Sequence, residues 1–124
     1  MSATNFGGVL ANEATTGIGY TTGAGSTVTQ ATSRITGVTI NAVSGAITLV
    51  SAAGSTTPAT FTVTNSAVAA TDVPLVVQKS GTDLYTISVS AVAAGSFNIT
   101  FNTKSGTTTE QPVFNFVIVK GVTA

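Results

Sequence analysis

Apolar and polar residues alternate with a period of two along most of this chain, in about eight short runs that begin after residue 25. Residues 28–30 open the series. In residues 37–41, Val38 and Ile40 stand against Thr39 and Asn41, and in 46–50, Ile47 and Leu49 stand against Thr48. Residues 60–65 put Phe61 and Val63 on one side and Thr60, Thr62 and Thr64 on the other. Residues 74–79 place Leu75 and Val77 opposite Val76 and Gln78. In 84–92, Tyr85, Ile87, Val89 and Ala91 oppose Thr86, Ser88 and Ser90. Residues 96–103 set Phe97, Ile99 and Phe101 against Asn98, Thr100 and Asn102, and residues 113–119 carry Phe114, Phe116 and Ile118 on one side. Successive side chains of a strand point to opposite faces, so each run predicts a strand with one buried face. The separators Ser44-Gly45, Gly54-Ser55, residues 80–83, Ala94-Gly95 and Ser105-Gly106 are turn-formers. Thr, Val and Ile dominate and suit a pleated surface, and no window has the 3.6-residue period of an amphipathic helix. The expectation is an all-β chain: an antiparallel, jelly-roll-like β-sandwich of about eight strands. Phe61, Phe97, Phe101, Phe114 and Phe116 should make most of its core.

The last run breaks the alternation. Val113, Val117 and Val119 are apolar on the side away from the phenylalanines. A strand apolar on both sides is buried on both. Its second side would be covered by another chain, by the leading arm, or by a long loop over a central strand.

Residues 1–25 follow neither period and hold six of the thirteen glycines. Glycine loses much backbone freedom on ordering, so this stretch is not expected to fold alone. Two parts are expected: an extended Gly-rich arm, 1–25, and a sandwich domain, 26–124. A mere leader would not need the arm's apolar residues Phe6, Val9, Leu10, Ile18 and Tyr20. With Val113, Val117 and Val119 they form the candidate interface, the arm ordering on a neighbouring subunit.

Composition sharpens this picture chiefly through charge. Charged residues are 6% of the 124, against a usual share of about 25%. The cations Arg34, Lys79, Lys104 and Lys120 balance Glu13, Asp72, Asp83 and Glu110, and they are scattered. Nucleic-acid and membrane-surface binding both call for clustered cations, so neither partner is expected. With 43% hydrophobic residues and a mean hydropathy of +0.47, the chain collapses readily. Net charge near zero is a solubility hazard for a lone molecule, which favours an oligomer or a larger particle as its setting. Residues 26–45, STVTQATSRITGVTINAVSG, show the bias in small: eight hydroxyl residues and one charge, Arg34. Such neutral faces can meet another protein without the desolvation cost of ions.

Candidate chemistry is thin. The chain has no His and no Cys, so the usual neutral-pH base, thiolate nucleophiles, disulfides and Cys metal sites do not arise. Asp72 and Asp83 flank one strand and could meet at one end of a sheet, as a glycosidase pair or a Ca²⁺ site; the plainer reading is turn-forming Asp. The glycines at 17, 19, 23 and 25 lack the strand and helix of a phosphate loop. Asn98-Ile99-Thr100 matches a glycosylation acceptor but falls inside a strand run. The start lacks a signal-peptide pattern, and residues 113–119 are too few to span a bilayer. No enzyme activity and no cofactor are expected.

The segments STVTQATSRITGVTINAVSGAITL, FTVTNSAVAATDVPLVV, AVAAGSFNITFNTKSG and FNFVIVKGVTA resemble small Thr-rich β proteins from the virions of tailed bacteriophages. The TVTQATS…TGVT pattern is the specific part, and the resemblance covers residues 26–124. It implies a structural protein without cofactors, assembled as a homotrimer. It would be made in the host cytoplasm and carried on the capsid surface, where it binds the major capsid protein and cements the head. The alternative it leaves open is a trimeric tail-fibre or head-fibre module that recognises host surface glycans through residues such as Tyr85 or Asn102. An Ig-like adhesin domain is the third reading, disfavoured by the missing secretion signal.

Overall fold

The computed structural model describes residues 18–122. Ten strands and no helix are found among them. They are β1 (Gly25–Thr29), β2 (Val38–Thr39), β3 (Ser44–Thr48), β4 (Ala52–Ala53) and β5 (Ala59–Thr64). There follow β6 (Val73–Ser80), β7 (Tyr85–Ala93), β8 (Ser96–Thr103), β9 (Thr109–Glu110) and β10 (Val113–Val119). The expected all-β sandwich is present. One sheet, here called the front sheet, runs β1-β3-β10-β6; the back sheet runs β2-β5-β8-β7; β4 and β9 form a small third ladder. The sheets are mixed rather than wholly antiparallel, because β1 pairs with β3 and β2 with β5 in parallel.

All five expected phenylalanines are buried, Phe61 at 1% exposure and Phe114 at 0%. Their rings join the two sheets. Phe101 of the back sheet meets Phe114 of the front edge-on at 5.6 Å, Phe97 meets Phe116 at 5.8 Å, and Tyr85 meets Phe114 at 5.6 Å. Such pairs add roughly 0.5–1.5 kcal/mol each beyond the area they bury. Ile47, Leu49, Ile99, Ile118 and Val63, all at 0% exposure, fill the spaces between the rings.

Two local features depart from simple alternation. Strands β7 and β8 are joined by a two-residue loop whose second residue, Gly95, has φ +83°, a conformation glycine adopts without strain. Near the same end the pairing slips between Val89 and Ala91. The extra residue reverses the alternation, so Val92 turns to the core beside Val89, and Ala91, expected on the inner side, lies outward and exposed.

Candidate functional site

The outer surface of the front sheet is apolar along one side. On β6, Val73, Leu75 and Val77 point outward with exposures of 52%, 51% and 61%. Beside them on β10 lie Val119, Val117 and Asn115, in register with Val73, Leu75 and Val77 respectively. Val119 is exposed, and Val113 and Val117 are half-buried. Lys79, near the end of β6, is the one charged side chain among the outward residues of this sheet. Strand β10 is central, between β3 and β6, and among the described residues no loop shelters the stripe.

Hydrogen-bond parity shows how β6 presents its edge. The Ile118 N–H donates to the Val43 carbonyl and the Leu49 N–H to the Pro112 carbonyl. Even-numbered residues of β10 therefore bond toward β3, and odd-numbered ones toward β6. In that register Pro74, Val76 and Gln78 turn their main-chain groups to the open side of β6. Proline has no N–H to leave unpaired there, which is why an edge strand tolerates it. The Gln78 side chain closes its own end, donating to the Asp83 carbonyl and accepting from the Tyr85 N–H. Among the described residues, the stretch around Leu75 and Val76 has no such plug.

The outer surface of the back sheet is of another kind. Its outward residues are mostly hydroxyls and amides, several of which bond to one another. The Thr60 and Thr100 hydroxyls lie 2.7 Å apart, those of Ser90 and Thr100 also 2.7 Å, and the Thr62 hydroxyl donates to the Asn98 side-chain oxygen at 2.8 Å. Asn98 is thus engaged in mid-strand. Asn102 donates to the Thr56 and Thr103 carbonyls on this same face.

Charge is gathered at the ends of the sandwich. At one end, Arg34 Nε donates to the Val50 carbonyl, Nη2 to the carbonyls of Ala52 and Glu110 at 2.6 Å each, and Nη1 to the Tyr85 hydroxyl at 3.1 Å. The guanidinium also lies 5.9 Å from the Tyr85 ring centre. The Glu110 carboxylate accepts the N–H groups of Thr82 and Asp83, and the first of these bonds above all holds it below its ordinary value. Asp83 accepts the Thr108 N–H and hydroxyl. It lies so close to Gly106 that a Cβ there would stand 2.2 Å from the carboxylate. Burial pushes the Tyr85 hydroxyl above its ordinary value. A cleft of about 290 Å³ opens beside Arg34 and Tyr85, rimmed by Ser51, Ser55 and Thr57. Tyr85 is its buried floor rather than a free aromatic surface, being 9% exposed with its hydroxyl taken by Arg34.

At the other end Asp72 caps a turn, accepting the Ala69 and Gly121 N–H groups and pairing with Lys120. Lys120 holds its carboxyl below the ordinary value. Asp72 and Asp83 do not meet. The eight residues of β6 separate them, a rise of roughly 26 Å, and each is spent within its own end of the sandwich. The glycosidase-pair and shared Ca²⁺ readings of these two residues are corrected accordingly. Their turn-forming role stands, and among the described residues no cluster of three potential metal ligands occurs.

Of the residues singled out from the sequence, Val113, Val117 and Val119 share the outer front face. Phe6, Val9 and Leu10 lie outside the described residues. Ile18 and Tyr20, 72% and 46% exposed, lie just before β1. The Tyr20 hydroxyl donates to the Ile118 carbonyl, which falls beyond the paired length of β3. The sequence reading did not single out Val73, Leu75 and Val77. The signal was there: VPLVV in β6, like VFNFVIV in β10, is apolar on both sides.

The fold defines an all-β sandwich with an apolar stripe along one side of one outer face and a hydroxyl-clad face opposite. Compared with protein-family models, with curated proteins and with solved structures, the chain matches none.

Proposed function

We propose that this chain is a non-enzymatic structural subunit, one that associates with copies of itself and attaches to the outside of a larger protein particle. The observation that carries the reading is the stripe Val73, Leu75, Val77 and Val119. These four large apolar side chains stay about half or more exposed along one open sheet edge, with no charge among them. Contiguous apolar surface of this kind marks a protein contact. Charge-depleted surroundings suit the centre of an interface.

Resemblance to small Thr-rich virion proteins directs the reading to a bacteriophage capsid. There the chain acts as a cement protein, a homotrimer seated on the major capsid protein. Each seat adds buried contact on the order of 1,600 Å², and repetition over the shell adds avidity. Native mass of the purified chain, alone and mixed with empty expanded heads, tests this. A trimer that coats heads at a fixed ratio supports it. A monomer at every concentration, with no affinity for heads, overturns it.

A further inference from the structure

We propose that residues 1–17 of one copy lie along the front-face stripe of a neighbouring copy, against Leu75 and Val77. The inference rests on the assembly reading above and names what covers the stripe.

Three observations carry it. The first is where the described chain begins. The Tyr20 hydroxyl donates to the Ile118 carbonyl, which faces β3 and not the open edge of β6. Ile18 and Tyr20 are 72% and 46% exposed, and Val119 is 46% exposed. The described chain therefore begins on the side of β10 away from its own stripe, which favours a neighbour as the receiver.

The second is reach and content. Seventeen residues extend at most about 56–61 Å, while the stripe from Val73 to Val77 is about 14 Å long. The segment can leave its own copy and still span the stripe of the next. Within it, Phe6, Val9 and Leu10 supply apolar side chains in a stretch whose glycines, Gly7 and Gly8, permit close approach.

The third is charge. Glu13 is the one charged side chain in residues 1–17. The stripe is bounded at one end by exposed Lys79, while at the other Lys120 is already paired with Asp72. With Leu10 over Val77 and the segment running toward the end of β6, Glu13 comes within reach of Lys79. The main-chain groups of Val76 on the open side of β6 offer an extended segment hydrogen bonds as well, as in strand addition to a sheet edge.

The chain has no cysteine, so introduced ones report cleanly. Full-length chains carrying Phe6→Cys, Val9→Cys or Leu10→Cys are each mixed with full-length Leu75→Cys under mild oxidation. At least one mixture is expected to give a disulfide-linked pair of chains. In parallel, the full-length triple variant Phe6→Ser/Val9→Ser/Leu10→Ser is expected to self-associate at least tenfold more weakly, with an unchanged urea midpoint. A triple variant that associates undiminished overturns the inference and leaves the assembly reading standing. In full-length chains carrying both one of these cysteines and Leu75→Cys, a disulfide that forms only within single chains overturns the exchange between copies. A parent chain that is monomeric at every concentration overturns both readings.

Discussion

The two sheets of this sandwich bury the same kind of residue inward and opposite kinds outward. Behind the back sheet, Thr60, Thr100 and Ser90 share hydroxyl hydrogen bonds of 2.7 Å and Thr62 bonds Asn98. In front, Val73, Leu75 and Val77 stand exposed on an edge strand. Both faces are almost free of charge, and the difference between them shows that missing charge alone does not mark a contact. A hydroxyl face bonded to itself and to water has little to gain from a partner, since a protein–protein hydrogen bond replaces a protein–water one at a net of about 1 kcal/mol. An exposed valine or leucine gains roughly 1.5–3 kcal/mol on full burial. Of the two faces, the front one therefore has more to gain from a partner.

The largest expected effect removes the comparison by loosening both sheets. Arg34 ties the carbonyls of Val50, Ala52 and Glu110 to Tyr85. Arg34→Met leaves those acceptors without their donor at roughly 1–3 kcal/mol each where they stay dry. A loss of several kcal/mol of unfolding free energy in urea titration, with both surfaces disturbed together, is the expected outcome. An unfolding free energy within about 0.5 kcal/mol of the parent would show that Arg34 does not hold this end.

Acid comes next, and it acts on the ends rather than the faces. Asp72 and Glu110 lie below their ordinary values of 3.8 and 4.5 in the folded chain. A depressed carboxylate binds protons more readily unfolded than folded. Its stabilisation is therefore complete above those ordinary values and drains away as pH falls through and below them. Urea midpoints should hold steady from about pH 7 to about pH 5 and decline below. Lys120→Met should flatten part of the decline, because Lys120 is the main cause of the Asp72 shift. A decline of unchanged steepness would assign the acid sensitivity to other groups.

A smaller effect sharpens the contrast. Thr100→Val removes the shared partner of Thr60 and Ser90 on the hydroxyl face. It should cost about 1 kcal/mol or less, since water replaces the lost bonds, and it should leave self-association untouched. Weakened association would place the contact on the wrong sheet.

Much of this architecture is legible in the sequence. The phenylalanines announce the core, because their period-two spacing allows no other face. Residues 96–103 and 113–119 coincide with β8 and β10. The misses have physical causes. Strands β4 and β9 are two residues each, too short to show a period. The bulge at Val89 and Ala91 reverses inner and outer faces with no change in residue type. Parallel pairing of β1 with β3 is a matter of topology, which alternation does not encode. Arg34 reads as a lone charge in a hydroxyl-rich stretch because its partners lie 16, 18, 51 and 76 positions away. Asp72 and Asp83 look like a pair only until β6 sets them at opposite ends of a strand. The stripe was hidden because leucine and valine in β6 face both ways, and only the sheet order shows which side lies open.

The most direct measurement places the same charge on each outer face in turn and weighs the result. Sedimentation equilibrium over a range of concentrations compares the parent, Leu75→Lys on the front sheet and Thr62→Lys on the back sheet. The parent and Thr62→Lys should share one oligomeric mass, while Leu75→Lys falls to the monomer with its fold intact. An oligomer that survives Leu75→Lys, or that Thr62→Lys dissolves, would contradict the assignment of the contact to the front face.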